Sequence, residues 1–170
     1  WRYWNVIPKQ GQIAILDRSW YMDVTTARLE DKPDDKAVER RLKDIVTLER
    51  QLTDGGYLIL KFFIHISKKE QKKRFQDLEQ DKDTAWRVTE LDWERNRRYE
   101  DYSRAFDEAL RYTNTTNAPW CVVSGMDRRA AALDVFTAVA DRVEEALEEK
   151  KTPPQAKAQP EAKIQPGPFR

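Results

Sequence analysis

Ile13-Ala14-Ile15-Leu16-Asp17-Arg18-Ser19-Trp20-Tyr21 decides how this chain is read. Four apolar residues in a row predict a buried parallel strand, and the run stops at an acid–base pair. In an open α/β sheet, ligands bind outside the carboxyl ends of the strands, which puts Asp17 and Arg18 at the rim of a site. A carboxylate there can hold Mg²⁺, and a guanidinium beside it can take phosphate oxygens two at a time. That pairing suits phosphoryl transfer. The plainer alternative is that Asp17 caps the next helix and Arg18 pairs with it.

The surrounding pattern is α/β. Pro8 and Gly11 punctuate a turn before the strand. Residues 23–35 are polar and carry Pro33, which predicts a helix start giving way to a loop. Val38, Leu42, Ile45, Leu48 and Leu52 then recur every three or four residues, an amphipathic helix ended by Asp54-Gly55-Gly56. Residues 57–66 read as a second buried strand, parallel to the first because a helix lies between them. Ser67 with Glu70 predicts a capping box for a helix reaching about Glu79. A charged stretch over 80–89 leads to Thr89, the cap of one long helix ending near Arg111. Residues 120–123 are a short third strand. Residues 126–149 are a closing helix with Leu133, Phe136, Val139, Val143 and Leu147 on one face. From Lys151 the chain turns proline-rich and reads as a linker or tail, so residues 1–150 are the expected domain and 151–170 the extension.

The totals narrow the function. Among 170 residues, 36% are charged and 39% apolar, which suits one domain with a modest core. Thirty-one Lys and Arg against 30 Asp and Glu leave a net charge of +1, which argues against a nucleic-acid coat. No run approaches the roughly 20 apolar residues of a membrane span. The single Cys121 excludes an internal disulfide and fits a reducing compartment such as the cytoplasm, and one His with one Cys argues against an all-side-chain zinc site. Trp1-Arg2-Tyr3-Trp4 is poor tail chemistry and reads as the end of a helix whose beginning precedes Trp1.

Three strand ends offer chemistry: Asp17, Arg18 and Ser19 on the first, His65 and Ser67 on the second, Ser124 and Asp127 on the third. Lys68, Lys69, Lys72, Lys73 and Arg74 read best as a solvated helix face, since acids lie among them. Lys82, Arg87, Arg95, Arg97 and Arg98 supply further cations between the second and third strands. Arg87, beside Trp86 in a loop, is equally well read as a phosphate clamp. His65 is better read as a satisfied structural residue than as a general base, and Cys121 as an inert core thiol. No G-x-x-x-x-G-K loop occurs in the chain.

Trp1-Arg-Tyr-Trp4, Ile15-Leu-Asp-Arg-Ser-Trp-Tyr21, Leu60-Lys-Phe-Phe63 with His65-Ile-Ser-Lys68, Asp83-Thr-Ala-Trp-Arg87 through Asp92-Trp93 to Tyr99-Glu-Asp-Tyr102, and Ala118-Pro-Trp120 resemble the family 2 polyphosphate kinases. The similarity covers about Trp1 to Leu147, in order and spacing. It implies a three-layer α/β/α P-loop kinase-like fold with a parallel sheet, similar to thymidylate kinases and here N-terminally incomplete. It implies Mg²⁺-dependent transfer of phosphate between inorganic polyphosphate and AMP or ADP, in a cytoplasmic enzyme working as a homo-oligomer or beside a second domain of the same chain. By position, Asp17 resembles the acid that holds Mg²⁺, Arg18 its phosphate-binding neighbour, and Arg28 an arginine that follows it. Arg74, Lys82 and Arg87 fall in the region that forms the mobile lid over phosphates, the lid itself at about residues 80–100, and with Arg28 they are the phosphate- or polyphosphate-binding residues the resemblance implies. The Gly-rich loop, its Lys and a first Mg²⁺ acid would precede Trp1, so the isolated piece is expected to be inactive. Met22 and Ala27 stand where many active members place Asn and Glu. That departure, with the proline-rich end, supports the alternative of a catalytically degenerate N-terminal domain of a tandem polyphosphate:AMP phosphotransferase, which binds polyphosphate or pairs with a catalytic domain.

Overall fold

A computed structural model describes residues 3–30 and 34–151. Among them are six helices and two strands: α1 Met22–Glu30, α2 Asp35–Asp54, β1 Lys61–His65, α3 Lys68–Gln80, α4 Glu90–Arg97, α5 Tyr99–Thr113, β2 Trp120–Ser124 and α6 Arg128–Lys151. Short 3₁₀ turns occupy Ser19–Tyr21 and Ala85–Arg87. The expected loop at Pro33 and linker over 152–170 lie outside the described residues, as do Trp1 and Arg2.

The core forms where helical spacing is regular. Val38, Leu42 and Ile45 of α2 are buried against Val24 of α1 and Ala109 of α5, with Trp20 and Tyr21 packed on the cluster. Small residues on α5, Ala105 and Ala109, let the helices approach closely. Gly55 ends α2 with its N–H donating to Gln51 O. Ser67 caps α3 by accepting from Glu70 N at 3.2 Å, but the Glu70 carboxylate turns to Arg74 instead of completing the box. Thr89 and Asp92 make the full reciprocal box on α4.

β1 and β2 run parallel, with Lys61 opposite Trp120 and His65 opposite Ser124. The crossover through α3, α4 and α5 supplies the length a parallel pair needs. Along β1, alternate residues meet α5. Lys61 donates to Thr113 O, Phe63 lies 5.5 Å from Phe106 between ring centroids, and His65 reaches Tyr99. Those α5 positions are seven apart, two helical turns, so all three lie on the face of α5 turned to the strand.

Four expectations are corrected. Residues 13–16 form no strand: Ile13 and Ile15 are 85% and 94% exposed. An apolar run becomes a buried strand only beside another strand, and none of the described residues pairs with it. The parallel partner of the 61–65 strand is therefore 120–124. The helix from Glu90 is broken at Arg98, whose guanidinium turns to Leu29 O and over the Tyr102 ring. On α6, Leu133 and Phe136 are 67% and 73% exposed, and among the helix's described side chains only Ala131 is buried. Cys121 is exposed, not a core thiol, because this two-stranded sheet leaves much of its surface open.

Candidate active site

The segment after Leu16 turns sharply. Arg18 has φ 59° and Ser19 φ 45°, left-handed conformations that L-residues with a side chain rarely adopt. Ser19 N donates to Asp17 O at 2.7 Å, and Met22 N to Arg18 O at 3.3 Å, closing the turn onto α1. Two such residues cost on the order of 1–3 kcal/mol each and persist only where neighbouring contacts hold them. Asp17 and Arg18 are thereby left exposed at the surface.

The holding contacts lie immediately beyond. Trp20 Nε1 donates to Glu49 Oε1 at 3.2 Å, and the Tyr21 hydroxyl donates to the same oxygen. The other carboxylate oxygen of Glu49 accepts from Lys61 Nζ at 2.9 Å, and Lys61 also donates to Thr113 O at 2.7 Å. Lys61 sits over the Trp120 ring, 5.0 Å from its centroid. Trp120 Nε1 in turn donates to Thr113 Oγ1 at 2.9 Å. The pair is fully enclosed, with side-chain exposures of 4% and 0%. Burial pushes the Glu49 carboxyl up and the Lys61 ammonium down, and their mutual hydrogen bond and attraction oppose both shifts. One helix, one strand and one turn are therefore joined by a single saturated polar knot.

The positive charge of Arg18 bears on Asp92 of α4. Burial would raise the Asp92 carboxyl, but hydrogen bonds from the Thr89 hydroxyl and N–H, with the positive charges of Arg95 and Arg18, bring it below its ordinary value. The loop just before α4 is held by its own bonds. Thr84 Oγ1 donates to Leu78 O at 2.8 Å and Trp86 Nε1 to Asp83 O at 2.9 Å. This leaves Lys82 and Arg87 exposed, and the Trp86 indole is 77% exposed. Among the described residues, the side chains of Asp17, Lys82 and Arg87 have no ion-pair partner.

The other expected residues are engaged differently. Arg28 donates to Glu108 at 2.9 Å and lies 3.5 Å from Asp35, bridging α1 to α5 and α2. Arg74 donates from Nε to Glu70 at 2.8 Å and from Nη2 to Gly125 O at 2.6 Å and Met126 O at 3.1 Å, fastening the end of β2 to α3. Arg95 pairs with Glu30 at 2.8 Å. Tyr99 OH donates to Ile66 O at 2.6 Å and lies 2.8 Å from His65 Nε2. The phenol has one hydrogen, so His65 Nε2 is the donor between them, the arrangement of a satisfied structural histidine. Asp127 caps α6, accepting from Arg129 N and Ala130 N, which hold its carboxyl below the usual range. Met22 and Ala27 both line an open groove with Trp20, Glu30, Arg41 and Asp44. No three His, Cys, Asp or Glu among the described residues cluster as a metal cage.

Reading the residues alone missed Glu49 and Lys61. The signal was present: Glu49 follows Ile45 by four and Leu42 by seven, on the buried stripe of α2, and Lys61 interrupts an apolar strand. A charge at each of two core positions calls for a partner.

Comparison with known proteins agrees with this frame. The sequence profile of polyphosphate kinase 2 matches residues 1–151. A polyphosphate:AMP phosphotransferase of Pseudomonas aeruginosa is 34% identical over 95% of this chain and 32% of its own length. An AMP/ADP-polyphosphate phosphotransferase of Meiothermus ruber is 37% identical over 72% of this chain and 46% of its own. A crystal structure from Pseudomonas aeruginosa, provisionally described as a polyphosphate kinase 2, superposes with a TM-score of 0.83 at 32% identity, over 88% of this chain and 32% of that one. The chain thus spans between about a third and a half of the length of these relatives. Its α/β architecture, parallel strand pair and sequence place it in the polyphosphate kinase 2 family.

Proposed function

We propose that the protein containing this chain transfers phosphate between inorganic polyphosphate and AMP or ADP with Mg²⁺, and that this chain supplies the Asp17–Arg18 turn and the basic loop before α4. The observation that carries the reading is the strained turn over residues 17–19, which holds an acid and a guanidinium free at the surface. Mg²⁺ keeps several waters and binds through one or two carboxylates plus substrate phosphates. Asp17, exposed and bonded to no protein cation, fits that donor set and would hold the ion. When bound, Mg²⁺ neutralises charge on the transferring phosphate.

The chain's own residues do the rest. Arg18 binds phosphate oxygens by its two-pronged edge. Lys82 and Arg87 approach from the loop over 81–87, the centre of the proposed lid over residues 80–100, and exclude water when it closes. Transfer through a loose transition state needs positioning and cations more than covalent help. Arg28 contributes by exchanging Asp35, a partner 93% exposed, for a phosphate oxygen. Arg74, expected to bind phosphate, is instead fastened at three points and keeps α3, the helix before the lid, registered on the end of β2. Residues 1–150 act as one domain and 151–170 as a linker, in a cytoplasmic protein that pairs with a second copy or domain. No helix of the described residues is long and apolar enough to cross a membrane.

A second reading, a degenerate polyphosphate-binding or pairing module, draws on the apolar side chains of Met22 and Ala27 in the groove beside Trp20. The test is turnover of AMP and ADP by the full-length protein with polyphosphate or ATP as donor. The enzyme reading expects polyphosphate-dependent turnover that Asp17→Asn lowers about 10²–10³-fold, the scale of losing one charge-stabilising group. Unchanged turnover in Asp17→Asn, or equal use of ATP as donor, overturns it. Polyphosphate binding without turnover selects the module.

A further inference from the structure

We infer that the buried Glu49–Lys61 pair is a positioning device for the proposed phosphate site, acting on the Asp17–Arg18 turn through Trp20 and Tyr21. The inference rests on the reading of Asp17 and Arg18 given above. Neither Glu49 nor Lys61 touches the surface, so neither meets substrate.

The geometry leaves a short path. Glu49 sits on α2 and Lys61 on β1, elements whose places are set by the core and by strand pairing. The two indole and phenol donors that meet Glu49 Oε1 belong to consecutive residues, Trp20 and Tyr21. Those residues directly follow Arg18 and Ser19, whose left-handed backbone would relax if released. The 3₁₀ turn Ser19–Tyr21 carries no side-chain cap of its own. Thr25 Oγ1 donates to Tyr21 O at 3.0 Å, a bond to the backbone of the turn's last residue that leaves the Trp20 and Tyr21 side chains to Glu49. One carboxylate oxygen thus fixes the far end of the turn, and Lys61 fixes the carboxylate. A neutral apolar pair could fill the same volume and hold the helix to the strand. It could not accept hydrogen bonds from Trp20 and Tyr21. That distinguishes a positioning role from simple packing.

The experiment uses the full-length protein and compares wild type with Tyr21→Phe, Glu49→Gln and Asp17→Asn. Tyr21→Phe removes one hydroxyl and keeps the ring, so it keeps the test open where Glu49→Gln fails to fold. The account expects Tyr21→Phe to melt close to wild type while amide exchange at residues 17–19 speeds up about tenfold and exchange in β1 stays unchanged. It expects kcat with polyphosphate and AMP to fall about ten- to a hundredfold, the scale of a small misplacement of a reacting group, with KM for AMP little altered. In the Asp17→Asn background the same substitution should lower the residual kcat no further, because both act through one group. Unchanged exchange at residues 17–19 and unchanged kcat in Tyr21→Phe overturn the inference, as does a full additional loss on top of Asp17→Asn. If Asp17→Asn itself keeps its turnover, the proposed function fails. The exchange measurement, which needs no activity, still decides whether Glu49 holds the turn.

Discussion

Arg74 and Arg87 stand on one continuous helix–loop segment and are held in opposite ways. Arg74 is bonded to a carboxylate and two backbone carbonyls, so its guanidinium is engaged by the protein itself. Arg87 ends a 3₁₀ turn with its backbone N–H bonded to Thr84 O and its side chain exposed. The same contrast separates Lys61, enclosed with Glu49, from Lys82, exposed in the loop. Residue type does not tell a cation engaged by the protein from one left open. What tells them apart is whether the protein already fills the donors. By that measure Asp17, Arg18, Lys82 and Arg87 form the outward set, and Arg74, Arg95 and Lys61 the inward set.

The largest effect should come from the inward set. Lys61→Met leaves the Glu49 carboxylate buried without its cation and should cost about 3–5 kcal/mol in chemical denaturation, whereas Glu49→Leu with Lys61→Met should stand within about 1–2 kcal/mol of wild type. If the single variant is as stable as the double, the pair is not the enclosed ion pair described. Next is Gly125→Ala, at the carbonyl where Arg74 fastens. A Cβ there would lie 2.8 Å from the Cγ2 atoms of Ile64 and Ile66, both on stiff β-branched side chains. Overpacking of about 1–3 kcal/mol should appear as a lower melting temperature, and an unchanged melt would show that the β2–α6 corner yields freely.

On the outward set, Arg87→Lys should leave stability unchanged and weaken use of polyphosphate about tenfold, close to 1.4 kcal/mol, since Lys cannot supply two parallel hydrogen bonds. Equal polyphosphate KM in both proteins would remove Arg87 from the set. The smallest effect is expected at the α4 cap. Thr89→Ala should cost about 1 kcal/mol, measurable as faster exchange in the first turn of α4. A pH arm sharpens it. The Asp92 carboxyl is held below its ordinary value, so its contribution to this cap is present above that value and is lost as pH falls through the lowered one. Protection in that turn, taken relative to the intrinsic exchange rate at each pH, should therefore fall at low pH in wild type and fall less in Thr89→Ala. The same acid dependence in both would assign it elsewhere.

Much of the fold was legible because it depends on local pattern. The three-and-four spacing from Val38 to Leu52 became α2, and Ser67 and Thr89 became caps because a hydroxyl at a helix start has one obvious acceptor role. What failed depended on neighbours. Residues 13–16 have the composition of a buried strand, but a strand is a property of a pair. The apolar stripe of α6 has helical spacing, yet Leu133 and Phe136 meet no described layer. At the site, Asp17 and Arg18 stood out because a charged pair ends an apolar run. Their support did not stand out, because Glu49 and Lys61 lie 12 residues apart on different elements and meet only in the folded chain.

The central claim is that the outward cations, Arg18 of the turn and Lys82 and Arg87 of the loop before α4, bind phosphate. Its most direct test is calorimetric titration of polyphosphate into the full-length protein and into its Arg18→Ala/Arg87→Ala variant, with Mg²⁺, at low and high salt. The account predicts weaker binding in the variant and a smaller salt dependence, since two phosphate-facing charges are gone. Equal affinity with an equal response to salt in the two proteins would contradict it.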